Sequence, residues 1–233
     1  MTEHTSRQYE RELQDLGDRI LFLGGTVEEM IARAMQSLVE RDSDLARRVI
    51  ESDRTVDSGE LEIDHMSLNL LALRQPAASD LRFITTALKI VTDLERIGDL
   101  AVNIAERAIE LNQEPPLKPY IDIPRMAQLV SDMVHRSLDA FVKRDVAQAR
   151  TVLGADDAVD NLNVQIFREL LTYMIEEPKN ITRALRITFI AKYLERIGDH
   201  ATNISQMVIF MSEGRDVRHP RLHANARGPK PAD

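Results

Sequence analysis

The chain has 233 residues, 43% hydrophobic and 29% charged, with no cysteine, and its 30 Lys+Arg against 38 Asp+Glu leave a formal net charge of −8. Without thiols there are no thiolate zinc sites, iron–sulfur clusters, cysteine nucleophiles or disulfides, so any metal must be held by oxygen or imidazole. The acidic balance argues against nucleic acid as a partner, and no apolar run approaches the roughly 20 residues that span a bilayer, so a cytoplasmic protein without membrane insertion is expected.

Only 4% of residues are aromatic, and Gly and Pro number 9 each, which favours helices over tightly turned strands. Taken in chain order, Leu13, Leu16, Ile20, Leu23, Val27, Met30, Ala34 and Leu38 recur at helical spacing and predict a first long amphipathic helix. Asp42 is placed to N-cap a second, and Pro76 stands just before a third, whose seam is Phe83, Ala87, Ile90, Leu94, Ile97, Ala101, Ile104 and Ala108. Pro115, Pro116, Pro119 and Pro124 then mark residues 114–124 as a linker between two halves, 1–113 and 125–213. In the second half Asp145 repeats the N-cap role and Pro178 precedes the last periodic stretch, for about six helices in all. From Gly214 the chain is basic, rich in Pro and Gly and without periodicity, so 214–233 is expected to be a mobile tail.

The two halves are copies. LERIGD occupies 94–99 and again 194–199, an offset of 100, followed by AVNIA and ATNIS. Upstream, SLVERD ending at Asp42 matches AFVKRD ending at Asp145, and Asp53-x-x-Val56-Asp57 matches Asp156-x-x-Val159-Asp160, both at an offset of 103. The second copy must therefore lose three residues, and the turn before Pro178 is the expected place. Duplication of three helices predicts an all-α fold of two tandem, pseudo-symmetric three-helix bundles.

Four acidic pairs sit at i, i+4: Asp53/Asp57, Glu95/Asp99, Asp156/Asp160 and Glu195/Asp199. Each pair shares a helix face, and like charges at that spacing cost an isolated helix about 0.2–0.5 kcal/mol, which a bound cation would offset. Asp53, Asp57, Glu60 and Asp64 continue along one shoulder of the second helix; Glu95, Asp99 and Glu106 lie along a shoulder of the third. Facing shoulders would converge hard oxygen ligands suited to Mg, Mn, Ca or a carboxylate-bridged iron site. Alternatively, Arg54, Arg96 and Arg196 within the motifs pair with the acids and no ion is needed. Gly98 and Gly198, inside helices, suggest close approach of a backbone or an ion. The second copy is poorer: Asn163, Phe167, Gln206 and Lys192 replace Glu60, Asp64, Glu106 and Thr92, predicting fewer or weaker ions there. Lys192 is expected to snorkel outward rather than pair with Glu195.

His200 follows Asp199, but its counterpart is Leu100, so a core-edge or surface position is expected rather than a ligand; His65 and His135 occur singly, and His4, His219 and His223 fall in the termini. No phosphate-binding loop, dinucleotide glycine motif or nucleophile elbow occurs, and enzymatic activity is disfavoured.

LERIGDLAVNIAERA at 94–108, LERIGDHATNISQ at 194–206, RQPAASDLR at 74–82 and the Asp-x-x-x-Asp motifs together resemble the PhoU family, the phosphate-specific transport system accessory proteins. The resemblance runs from about Glu10 to Met211. It implies two three-helix bundles, a cytoplasmic homodimer, and multinuclear clusters of divalent or trivalent ions (Fe, Zn, Mn or Mg) on the Glu/Asp-x-x-x-Asp motifs. Carried onto this chain, those are Asp53, Asp57, Glu95 and Asp99, and Asp156, Asp160, Glu195 and Asp199, with Glu60, Asp64 and Glu106 as additional candidates. It also implies negative regulation of the phosphate-starvation response, bridging the ATPase subunit of the phosphate ABC transporter and a sensor histidine kinase. A metal-dependent phosphohydrolase or di-iron-type enzyme, and a purely structural helical dimer, are the alternatives.

Overall fold

A computed structural model describes residues 2–214, with side chains from residue 7 onward. They form six long helices: α1 (Thr2–Val39), α2 (Ser43–Arg74), α3 (Ala78–Asn112), α4 (Asp122–Lys143), α5 (Val146–Glu176) and α6 (Ile181–Glu213), with a 3₁₀ turn over Pro178–Asn180. No strand occurs among the described residues. Helices α1–α3 pack on one another, as do α4–α6, and the two three-helix bundles join where α3 lies on α6 and α1 on α4. None of these helices is long and apolar enough to cross a membrane.

The apolar periodicity explains which faces meet. Every residue of the α3 seam from Phe83 to Ala108 is buried, and so is the α1 series from Leu16 to Leu38; Leu13 is only partly covered, at the edge of the core. Because α3 and α6 pack on their own bundle and on each other, they bury more than one stripe, and a single core draws residues from all six helices. At one end of the junction Phe83 of α3 stacks on Phe141 of α4, ring centroids 4.8 Å apart, and the Arg144 guanidinium lies over the Phe83 ring at 5.4 Å.

The two α1–α2 and α4–α5 corners are built alike. Arg41 and Arg144 adopt left-handed backbone (φ 61° and 53°), so that the N–H of Asp42 reaches Ser37 O at 3.0 Å and that of Asp145 reaches Ala140 O at 2.9 Å. The aspartates then cap the next helix, Asp42 accepting from the N–H groups of Asp44 and Leu45, Asp145 from that of Gln148. The three-residue shortening lies before Pro178: Gln75, Pro76 and Ala77 separate α2 from α3, whereas Glu177 alone separates α5 from the 3₁₀ turn, and α5 is one residue shorter than α2.

The connection between bundles is shorter than its prolines suggest. Helix α4 begins at Asp122 and takes Pro124 into its first turn, where a backbone N–H has no helical partner to lose. Residues 113–121 are pinned rather than loose. Arg41 donates to the carbonyls of Asn112 (2.7 Å) and Glu114 (2.6 Å), Arg183 to that of Pro115 (2.9 Å), and Arg186 pairs with Glu110 (2.8 Å) and Glu114 (2.6 Å). Lys118, nearly buried, pairs with Glu169. The RQPAASDLR segment is tied down as well: Arg74 makes a bidentate pair with Glu12 (2.9 and 2.6 Å), and Arg82 donates to the Met211 carbonyl at 2.9 Å near the end of α6. Gly214 closes α6 with φ 67°. The expected tail beyond it, with His219 and His223, lies outside the described residues, as does the side chain of His4.

Candidate metal centre

Helices α2 and α3 run antiparallel, and Val56, between the two aspartates of its motif, is fully buried beneath them. It packs on Gly98: a Cβ added there would come within 3.3 Å of the valine side chain. In the second bundle Val159 meets Gly198 the same way, at 3.5 Å, with Val130 at 3.6 Å. The repeated glycines thus serve valine side chains of the neighbouring helix rather than a backbone or an ion. They let the helices approach closely enough for the acidic shoulders above to feel each other.

That proximity makes ionisation of the carboxyls harder. Burial, and then the charges of Asp57 and of Asp99 on the facing helix, push the Asp53 carboxyl above the usual aspartate range. Glu60 is raised by burial, Asp64 and Asp57, against a partial offset from Arg96. Glu95 is raised by burial and Asp99, again opposed by Arg96, with further contributions from Glu60 and Asp57. Arg96 is therefore a real counterion, 3.2 Å from Asp99 and 3.3 Å from Glu95, yet one guanidinium faces six carboxylates. Arg54 and Arg196 make no ion pair among the described residues. The structure groups Asp53, Asp57, Glu60, Asp64, Glu95 and Asp99 on one shoulder. Glu106 is engaged elsewhere, with Arg107 at 3.7 Å.

The second shoulder has the same plan with fewer acids. Asp156 is raised by burial and Asp160, while Thr202, where the first copy has Val102, donates to it at 3.4 Å and opposes the shift. Asp199 is raised by burial, Glu195 and Asp156, with Lys192 in opposition. Lys192 does not snorkel outward: its Nζ stands 2.6 Å from both Glu195 oxygens, since the ammonium finds an under-compensated carboxylate one turn away. Among the described residues no three Asp, Glu or His side chains come together in a set that could hold a metal ion. The shoulders bring hard donors into one field without assembling a coordination sphere.

His200 lies at the core edge, half-buried, with Nδ1 2.7 Å from Asp93 on α3. This bond crosses between the bundles and is invisible to helical spacing. The duplication offers one hint, because the symmetry-related positions are Leu100 and Tyr193, so both partners of this contact depart from their counterparts.

The PhoU domain model matches residues 20–108 and 123–208, one match in each bundle. The chain belongs to the PhoU family. It is 42% identical over 237 aligned residues to a phosphate-specific transport system accessory protein PhoU homolog of Pseudomonas putida, covering 100% of this chain and 93% of that protein. To the homolog from Aquifex aeolicus it is 43% identical, covering 91% and 96%. Its fold is similar to the crystal structure of PhoU from Pseudomonas aeruginosa (TM-score 0.85, 42% identity, 89% and 100% coverage). The phosphate transport system regulatory protein PhoU from Streptococcus pneumoniae gives TM-score 0.83 at 27% identity, covering 90% and 99%. The PhoU relatives bear accessory or regulatory names, and both repeats take part in the likeness.

Proposed function

We propose that this chain is a non-catalytic regulatory accessory protein of a phosphate-specific transport system: a cytoplasmic, homodimeric, negative regulator of the phosphate-starvation response that bridges the transporter's ATPase subunit and a sensor histidine kinase. The observation that supports the reading is near-complete, two-repeat similarity, at about 40% identity, to proteins named as phosphate-specific transport system accessory proteins. An adaptor of this kind acts by binding one state of its partner better than another, so it needs a stiff frame with defined faces, and the shared core and pinned connection supply one.

The carboxylate shoulders are proposed as cation sites. All-oxygen donors fit hard ions, and burial with mutual repulsion leaves Asp53, Glu60 and Glu95 short of positive charge, which a bound ion would supply. Asp53, Asp57, Glu95 and Asp99, with Glu60 and Asp64 beside them, would hold it in the first bundle. Asp156, Asp160, Glu195 and Asp199 would do so in the second, where Lys192 already serves Glu195 and weaker binding follows. The first test is alkaline phosphatase activity in phosphate-rich medium. High activity in a strain lacking the gene, restored by complementation, supports the regulatory role; unchanged activity overturns it. Metal counts on the purified protein and on Asp57→Asn/Asp99→Asn test the site, and equal counts refute it.

A further inference from the structure

The two bundles differ in how their first helices begin. At the 103-residue offset the first residue of α4, Asp122, matches Arg19, so residues 2–18 of α1 have no helical counterpart in the second bundle. The residues at the matching positions belong to the connection, and they are fixed: Lys118, buried and paired with Glu169, corresponds to Asp15, and Glu169 to Met66. Asp15 is exposed, and so is most of what precedes it. From Arg7 to Asp15 no residue is buried; Tyr9 and Leu13 pack partly against the core, and burial begins at Leu16. Between this stretch and α2 lies an open cavity of about 360 Å³, with Glu12 and Asp15 on one side and Met66, Leu70 and Leu73 on the other. Two polar contacts tie the stretch down: the bidentate Glu12–Arg74 pair, and the Tyr9 hydroxyl, which donates to Asp80 at 3.3 Å.

We propose that residues 2–15 form a latched arm, which opens and closes as a unit against the ends of α2 and α3 while the rest of the protein stays folded, with Arg74 as the latch. A helix of that length is marginal in water by itself and is held by the apolar face it buries. Here that face amounts to two partly covered side chains beside a cavity. Segments with so few buried apolar contacts open locally far more often than the core does. The connection in the second bundle has no such freedom, because it is tethered at both ends and pinned along its length. Opening of the arm uncovers Leu70, 5% exposed in the closed form, next to Leu73, which is already 74% exposed. The end of α2 thus offers two different surfaces, one for each position of the arm. The inference depends neither on the cation sites nor on the regulatory reading.

Hydrogen–deuterium exchange on the full-length protein tests it, read by mass spectrometry of overlapping fragments over residues 6–15 and 20–38. The amides of residues 2–5 are left out because the first turn of a helix has no intrahelical acceptor for them. The amides of 6–15 are expected to exchange about a hundredfold or more faster than those of 20–38, and at one common rate. Arg74→Ala should speed 6–15 about threefold or more again and leave 20–38 unchanged. A second readout exploits the absence of cysteine. Leu70→Cys should react with a thiol reagent such as DTNB at a rate that Arg74→Ala raises, whereas Ala34→Cys, fully buried in the same α1, should stay unreactive in both backgrounds. Exchange over 6–15 as slow as over 20–38 overturns the proposal. A rate that climbs gradually from residue 15 to residue 6 shows the fraying of a helix end and overturns it as well. Acceleration of both segments together in Arg74→Ala means that the arm is not separate from the core, and indifference of either readout to Arg74→Ala means that there is no latch; each of these also overturns it.

Discussion

Replacing Asp53 with asparagine is expected to stabilise the metal-free protein at neutral pH. The carboxamide keeps the shape of the side chain and removes a charge that is half-buried, four residues from Asp57 and facing Asp99 across the α2–α3 groove. One like-charge i, i+4 neighbour costs about 0.2–0.5 kcal/mol, and a second across the groove brings the relief to about 0.5–1 kcal/mol. For a chain of this size that raises Tm by about 1–4 °C. The pH dependence has a definite sign. A carboxyl raised in the folded state penalises folding at every pH above its folded pKa and ceases to do so as the pH falls towards the unfolded value. The advantage of Asp53→Asn should therefore shrink on acidification towards about pH 4. Thermal melts in chelator at about pH 7.5 and about pH 4.5 would show it. Saturating metal should reverse the order, because the wild type gains more from a ligand that binds only the folded state. A lower Tm for Asp53→Asn in chelator at neutral pH would refute the reasoning, since Asp53 would then be a satisfied structural group rather than a strained one.

Asp42→Ala and Asp145→Ala should each cost about 0.5–2 kcal/mol in urea titrations, the first more, because Asp42 caps two N–H groups and Asp145 one. Gly154→Ala, with open space around the new methyl, should gain about 0.5–1 kcal/mol in the same assay. Gly24→Ala should lose about 1–3 kcal/mol, because the methyl would overlap Leu138 Cδ1 where α1 meets α4. Asp93→Tyr and His200→Leu should each destabilise the α3–α6 contact alone, yet together recreate the pairing of the symmetry-related positions. A double-mutant cycle is expected to give a favourable coupling of about 0.5 kcal/mol or more, and additivity would show that the two residues do not act as a pair.

Most of the frame was legible because duplication checks itself. The α1 and α3 stripes, the Asp42 and Asp145 caps and the shortened turn each appear twice or by difference between copies, and local periodicity is enough to place them. What escaped depends on what lies opposite. Gly98 could be read as room for an ion or for a neighbour, and only the position of Val56 decides. Lys192 is exposed enough to point outward, but Glu195 lacked a partner. The Asp93–His200 bond and the α3–α6 junction join segments a hundred residues apart, and the residues buried between bundles are of the same types as those buried within them.

The pinned connection changes what kind of object the two repeats make. Two bundles on a loose tether could swing, and a signal received by one could be dissipated in the tether. Here residues 113–121 are held by side chains from both sides, and the core runs through without a seam. Cutting the chain at Pro116 would leave a single particle with two new ends. Helix α6 packs on α5 and on α3 alike, so a displacement of α6 would bear on both shoulders at once.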